Sequence, residues 1–218
     1  MPRRALRKTD PALDLSRHYR EAEALPPAFD QATLFSSSAP LEVEVGSGKG
    51  LFLAATSQAA PGRNFLGIEV SRKYARYAAA RLAKQDAANA LVIGGDALAL
   101  FQSWFPADSL AAVHVYFPDP WWKKRHKKRR VLNEQFLRDV QRTLTPGGRL
   151  HFWTDVEEYF QSTLDLIAAV TQLAGPLPVA EKPAAHHLDY RTHFERRTRL
   201  CDLLVYRAEF ENTAVMRH

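Results

Sequence analysis

The sequence is poor in cysteine, with Cys201 the only one among 218 residues. A single thiol excludes an internal disulfide framework and any zinc site built on several cysteines. No run of roughly 18 apolar residues occurs, so there is no material for a membrane-spanning helix. The first ten residues are basic, but charge rather than an apolar stretch follows them, so no secretory signal is expected and the cytoplasm is the expected compartment. Glycine is sparse as well, with ten in all, yet three of the ten fall at alternate positions in one stretch: Gly46, Gly48 and Gly50. What is present is ordinary for a globular chain: 46% hydrophobic, 25% charged and 11% aromatic residues, at a length that fits one large domain better than two.

Charge is unevenly spread. Lys and Arg number 30 against 24 Asp and Glu, a formal net charge of +6. Seven of the eight residues from Lys123 to Arg130 are basic, with His126 among them, and without this run the chain is close to neutral. A smaller set comprises Arg3, Arg4, Arg7 and Lys8. Basicity this local fits a strip facing a polyanion, although a solvated charge run has the same composition.

Residues 1–40 carry Pro2, Pro11, Pro26, Pro27, Pro40 and the run Ser36-Ser37-Ser38, with little periodicity. They are expected to form an arm with a short helical segment near Leu15 to Leu25, leading into a domain over residues 41–218. From Leu41 onward, short apolar runs alternate with helix-length segments. Strands are expected at 41–45, 64–68, 90–93, 111–117, 148–153 and 203–210, and helices at 51–59, 71–84, 97–104, 133–144 and 156–173. This alternation predicts an α/β fold with a largely parallel sheet and helices on both faces. Ligands of such sheets bind at the carboxyl ends of the strands.

Chemistry-bearing residues fall at those ends. Glu44-Val45-Gly46-Ser47-Gly48-Lys49-Gly50 closes the first strand, and its glycines allow a tight turn and close approach of a ligand. The spacing matches neither the dinucleotide fingerprint nor the phosphate loop, which disfavours a nicotinamide dehydrogenase. Glu69 ends the second strand, where a carboxylate suits two ribose hydroxyls; Asp96 ends the third, where it suits an adenine amino group. Either carboxylate also suits a helix N-cap. Together the three strand ends favour an adenosyl ligand. The fourth strand ends in Phe117-Pro118-Asp119-Pro120-Trp121-Trp122, which holds an acid between two prolines and runs directly into the basic octamer. That junction reads as a base-handling site joined to a phosphate-binding strip.

At these residues the sequence resembles the bacterial, single-chain tRNA (guanine-N7)-methyltransferase family. The resemblance spans about 41–210 and is most specific from Phe117 to Arg130. Thr154-Asp155-Val156-Glu157-Glu158-Tyr159 and Thr192-His193-Phe194-Glu195-Arg196-Arg197 follow in the family's order, although the stretch after Glu195 lacks the family's glycine. The resemblance implies a Rossmann-like class I fold with a seven-stranded sheet, S-adenosylmethionine as cofactor, and a guanine of the tRNA variable loop as target. Glu44, Gly46, Gly48, Glu69, Asp96 and Asp119 are then cofactor residues, and Asp119 also lies beside the base as the catalytic residue. Lys123, Asp155, Thr192, His193, Phe194 and Glu195 are implied to contact RNA. No obligate protein partner is implied, and a monomer or homodimer is expected.

Guanine N7 already bears an in-plane lone pair, so its methylation demands alignment and charge stabilisation rather than a strong base. No metal is expected, because His186, His187 and His193 lack carboxylates or cysteines at ligand spacing. A methyltransferase acting on another RNA or a small molecule, or an RNA-binding module that retains the fold, is the alternative that the residues leave open.

Overall fold

The computed structural model describes residues 6, 9–121, 125, 129–179 and 190–213. In Leu41–Val45 (β2) aliphatic residues alternate with Glu42 and Glu44, so the strand has one apolar and one acidic face. Asn64–Glu69 (β3), Ala90–Gly94 (β4) and Leu110–Tyr116 (β5) are almost wholly buried, as parallel strands covered on both faces must be. Helices Leu51–Ala59 (α1), Arg72–Lys84 (α2) and Ala97–Ser103 (α3) return the chain between them. Glu134–Thr143 (α4), Leu144–Thr154 (β6) and Glu157–Val170 (α5) continue the alternation. Ala174–Leu177 (β7), His193–Leu200 (α6) and Tyr206–Glu211 (β8) complete it.

One core lies between the sheet and α3, α4 and α5, with Val43, Ile68, Val113 and Phe152 meeting Phe101 and Phe136. The other lies under α1 and α2. A fully buried Val, Leu or Phe contributes about 1.5–3 kcal/mol. The buried face of α2 is instead mostly alanine, namely Ala75, Ala78 and Ala79. These bury little area each, and what they provide is close approach: an ideal Cβ on Gly50 would lie 2.7 Å from the Ala78 Cβ.

A short strand, Tyr19–Glu21 (β1), pairs in parallel with β4, which gives the sheet order β1-β4-β3-β2-β5-β6-β8-β7. The sheet therefore has eight strands among the described residues rather than the expected seven. From β2 to β8 there are seven strands, of which β8 runs antiparallel to both β6 and β7, the strands that flank it. The helix expected near Leu15 to Leu25 is replaced by β1 and a single 3-10 turn, Ala22–Ala24. Pairing with the open edge of β4 overrides weak local helix propensity there. Phe35 is buried in the core, and the Trp104 indole donates to the Pro26 carbonyl at 2.9 Å, so residues 19–35 pack along the sheet edge.

From β2 the chain moves outward through β3 and β4, then crosses to β5 and β6 on the other side. The carboxyl ends of β2 and β5 thus flank the point where strand order reverses, the position at which open α/β sheets bind ligands.

Candidate active site

The loop after β2 is built on backbone that only glycine adopts without strain: φ is +81° at Gly46, +52° at Gly48 and +66° at Gly50. The Gly46 N–H donates to the Ile68 carbonyl at 2.8 Å, and the Gly48 N–H donates to the Glu69 carboxylate at 2.9 Å. The second Glu69 oxygen accepts from the Ser71 N–H at 2.9 Å. Glu69 therefore couples the glycine loop to the start of α2, and each of its oxygens keeps a further lone pair for a ligand hydroxyl.

Glu44 is buried at 3% exposure, and its Oε2 has no hydrogen-bond partner. Burial pushes its carboxyl up to about 8; Glu69 adds to the rise, while Ser47 and Arg191 oppose it. An orphaned buried carboxylate oxygen beside an open glycine turn is the feature that a cationic ligand group would satisfy. Glu44 thus suits the ammonium of an S-adenosylmethionine-type cofactor, and the turn at Gly46 leaves space beside its own backbone.

Asp96 is exposed and N-caps α3, accepting from the Leu98 N–H at 2.9 Å. The helix-cap role left open by the sequence is thus occupied, and the carboxylate stands at the same edge of the sheet as Glu69.

Asp119 lies on the turn after β5. Two residues before it, Phe117 has φ +50°; two residues after it, Trp121 has φ +47°. Left-handed backbone costs of order 1–3 kcal/mol at each non-glycine residue, so surrounding contacts must hold this turn. One of them is the Phe117 N–H donating to the Trp153 carbonyl at 2.8 Å. Asp119 itself is exposed. Asp155 is also exposed and follows β6, whose Trp153 pairs with Tyr116 of β5, so the two acids leave adjacent strand ends.

The third recognisable stretch opens α6. Thr192 N-caps α6, its Oγ1 accepting from the Glu195 N–H at 3.0 Å. Glu195 is 3% exposed, accepts from the Arg191 N–H at 2.6 Å, and pairs with Arg199 at 3.3 Å and Arg207 at 3.5 Å. This is close to a capping box, a local role for the Thr-x-x-Glu spacing. Phe194, by contrast, is exposed; its ring stacks on Phe117 at 6.2 Å with an interplanar angle of 18°, and the Arg197 guanidinium lies 5.1 Å from its centroid. His193 begins α6. Lys123 and most of the basic run lie outside the described residues, as do His186 and His187. Among the described residues, no group of three or more His, Cys, Asp or Glu gathers to hold a metal.

Two contributors have a role that the sequence did not show. Phe117 opens the stretch that carries the resemblance, and in the structure its ring also joins the Asp119 turn to α6. Arg191 places its guanidinium between the rings of Phe52 and Trp153, at 5.6 and 5.8 Å, and lowers the pKa of Glu44 from there.

This sheet order and strand-end site define a Rossmann-like class I methyltransferase. The fold matches the aminoglycoside resistance methyltransferase NpmB1 with a TM-score of 0.51 and 16% identity, over 80% of this chain and 88% of that one. It likewise matches a 30S ribosomal A1408 methyltransferase from an uncultured bacterium, with a TM-score of 0.51 and 16% identity over 83% and 91% of the two chains. Residues 38–208 match the methyltransferase family model Methyltransf_4. A tRNA (guanine-N(7)-)-methyltransferase of Rhodopirellula baltica is 52% identical over 213 residues, covering 95% of this chain and 79% of that protein. One of Hydrogenovibrio crunogenus with the same name is 36% identical over 173 residues, covering 77% and 70%. The chain belongs to the tRNA (guanine-N7)-methyltransferase family and is an enzyme of that class.

Proposed function

We propose that this protein transfers a methyl group from S-adenosylmethionine to N7 of a guanine in the tRNA variable loop. The observation that carries this reading is the Asp119 turn, strained on both sides, following β5, which pairs with the strand that holds Glu44 and leads into the glycine loop, and continuous in sequence with the basic run. Names borne by relatives across most of the chain's length support the guanine and the tRNA.

Bound at this site, S-adenosylmethionine supplies an electrophilic methyl group on a sulfonium. Glu44 and the loop from Gly46 to Gly50 hold its methionine end, while Glu69 and Asp96 offer acceptors at the adenosyl end. Asp119 takes up position beside the guanine, where positive charge develops on the purine as N7 is alkylated. A carboxylate there stabilises that charge without removing a proton from N7. Alignment of the lone pair with the methyl group supplies a barrier reduction on the order of 7–11 kcal/mol. Phe194, stacked on Phe117, offers an aromatic face at the same edge, and Asp155 offers a second acceptor for the base. Arg125, Arg196 and Arg197 are exposed cations suited to phosphates. No covalent enzyme intermediate is required.

Incubation with unmodified tRNA and methyl-labelled S-adenosylmethionine, followed by nucleoside analysis, tests this. Label in N7-methylguanosine from the variable loop is expected, with Asp119→Ala losing turnover while keeping tRNA binding. Label in another nucleoside would overturn the guanine assignment, and unchanged turnover in Asp119→Ala would overturn the role of that carboxylate.

A further inference from the structure

Arg130 is the last cation of the basic run, and nothing in the sequence distinguishes it from the other six. All seven read alike as phosphate contacts. In the structure its guanidinium turns inward. The Nε–H donates to the Pro120 carbonyl at 2.8 Å, and Nη1 donates to the Ser162 hydroxyl of α5 at 3.3 Å. Its Cζ lies 4.3 Å from the centroid of the Tyr159 ring, which is 1% exposed. Arg129 lies over Trp121 at 5.2 Å, and Arg125 is exposed, so the inward set of contacts differs from those described for its neighbours.

Pro120 immediately follows Asp119, between the two left-handed residues Phe117 and Trp121. A turn strained on both sides needs a fastening on each side. The Phe117 N–H bond to β6 supplies one, and the Arg130 bond to the Pro120 carbonyl supplies the other. We infer that Arg130 is a positioning residue for methyl transfer, tying the Asp119 turn to α5, and is not one of the cations that follow the RNA phosphates. This rests on the reading of Asp119 as the carboxylate beside the reacting guanine.

The role requires the planar, forked guanidinium. Lysine carries the same charge but has neither the fork nor the flat face that stacks on Tyr159. Arg130→Lys therefore separates positioning from phosphate binding. The measurement is turnover at saturating tRNA and S-adenosylmethionine, together with the dependence of tRNA affinity on salt, for wild type, Arg130→Lys, Arg130→Gln and Arg125→Gln.

Arg130→Lys and Arg130→Gln are expected to lower kcat by about tenfold or more, since small misplacements at a reacting centre cost that much or more. Their salt slopes should stay at the wild-type value. Arg125→Gln is expected to lower the log–log salt slope by roughly 0.7–0.9, as loss of one phosphate contact does. Wild-type kcat in Arg130→Lys, or a slope lowered in Arg130→Gln as in Arg125→Gln, would overturn the inference. If neither Arg130 variant folds, Ser162→Ala decides, because it removes one partner without disturbing the core. A several-fold lower kcat at an unchanged salt slope is then expected, and wild-type kcat would overturn the inference. Absence of N7-methylguanosine with the wild-type protein would instead overturn the functional reading, and this inference with it.

Discussion

The carboxylate of Glu42 and the imidazole Nε2 of His114 lie 2.7 Å apart on neighbouring strands of the sheet. His114 Nδ1 is 2.8 Å from the Tyr116 hydroxyl. Burial, which outweighs the favourable Glu42 contact, pushes His114 down to about 3, so the ring is neutral at ordinary pH. A single tautomer satisfies both contacts: Nε2–H donates to Glu42, and Nδ1 accepts from the Tyr116 O–H.

This pair makes stability depend on pH. The folded protein holds His114 neutral between its lowered value near 3 and the ordinary 6.5, while the unfolded chain takes up a proton there. Stability from this group therefore rises with pH across that window, with a limiting slope of about 1.4 kcal/mol per unit, and is flat above it. Urea denaturation of wild type and His114→Phe between pH 4.5 and 7.5 reads this directly. The variant is expected to be less stable at pH 7.5, with the gap closing towards acid. A gap independent of pH would contradict the assignment.

Cofactor binding has a pH dependence of its own. Glu44, raised by burial to about 8, is largely protonated in the free protein at neutral pH. An ammonium placed against it requires the carboxylate, so binding expels a proton. Affinity for S-adenosylmethionine is expected to climb by up to about tenfold per unit between pH 6 and 7. Calorimetry on Glu44→Gln should show weaker binding and a flat profile. A profile as steep as that of the wild type would remove Glu44 from the site.

Gly50→Ala tests the packing of the loop. Its φ of +66° and the 2.7 Å approach to the Ala78 Cβ leave no room for a methyl group. Left-handed strain and overpacking together are expected to cost roughly 2–4 kcal/mol, seen as a lower denaturation midpoint. The glycine loop should lose cofactor affinity in parallel.

Glu195→Ala separates architecture from RNA contact. Removing a buried partner of Arg199 and Arg207, together with a helix cap, should loosen α6. Hydrogen exchange over residues 191–200 of the free protein is expected to accelerate markedly, with strands β2 to β5 unaffected. Unchanged exchange combined with weakened tRNA binding would favour direct contact instead.

Strand ends were the most legible part of this site. Glu44, Glu69, Asp96 and Asp119 each follow or close an apolar run, and periodicity alone places such residues at one edge of a parallel sheet. Side-chain direction was not legible. Arg130 reads as one more cation of a phosphate-binding strip and Glu195 as an RNA contact only by resemblance, yet both have partners distant in sequence, Ser162 and Arg207, that meet them only in the folded chain. β1 was missed for a related reason: three residues have no period, and the edge of β4 is what makes them a strand.

That three-residue strand has a consequence for handling the protein. β4 is buried along its whole length, with the sequence Ala-Leu-Val-Ile-Gly, and β1 covers its outer hydrogen-bonding edge. At the opposite margin β7 carries Pro176, which cannot donate to an incoming strand. Both margins of the sheet are thus unattractive to a foreign strand, one by cover and the other by chemistry. A truncation at residue 40 keeps every candidate site residue but uncovers β4, offering an apolar edge to other chains. A piece that begins before Tyr19 is therefore expected to stay dispersed under conditions where one that begins at residue 41 self-associates.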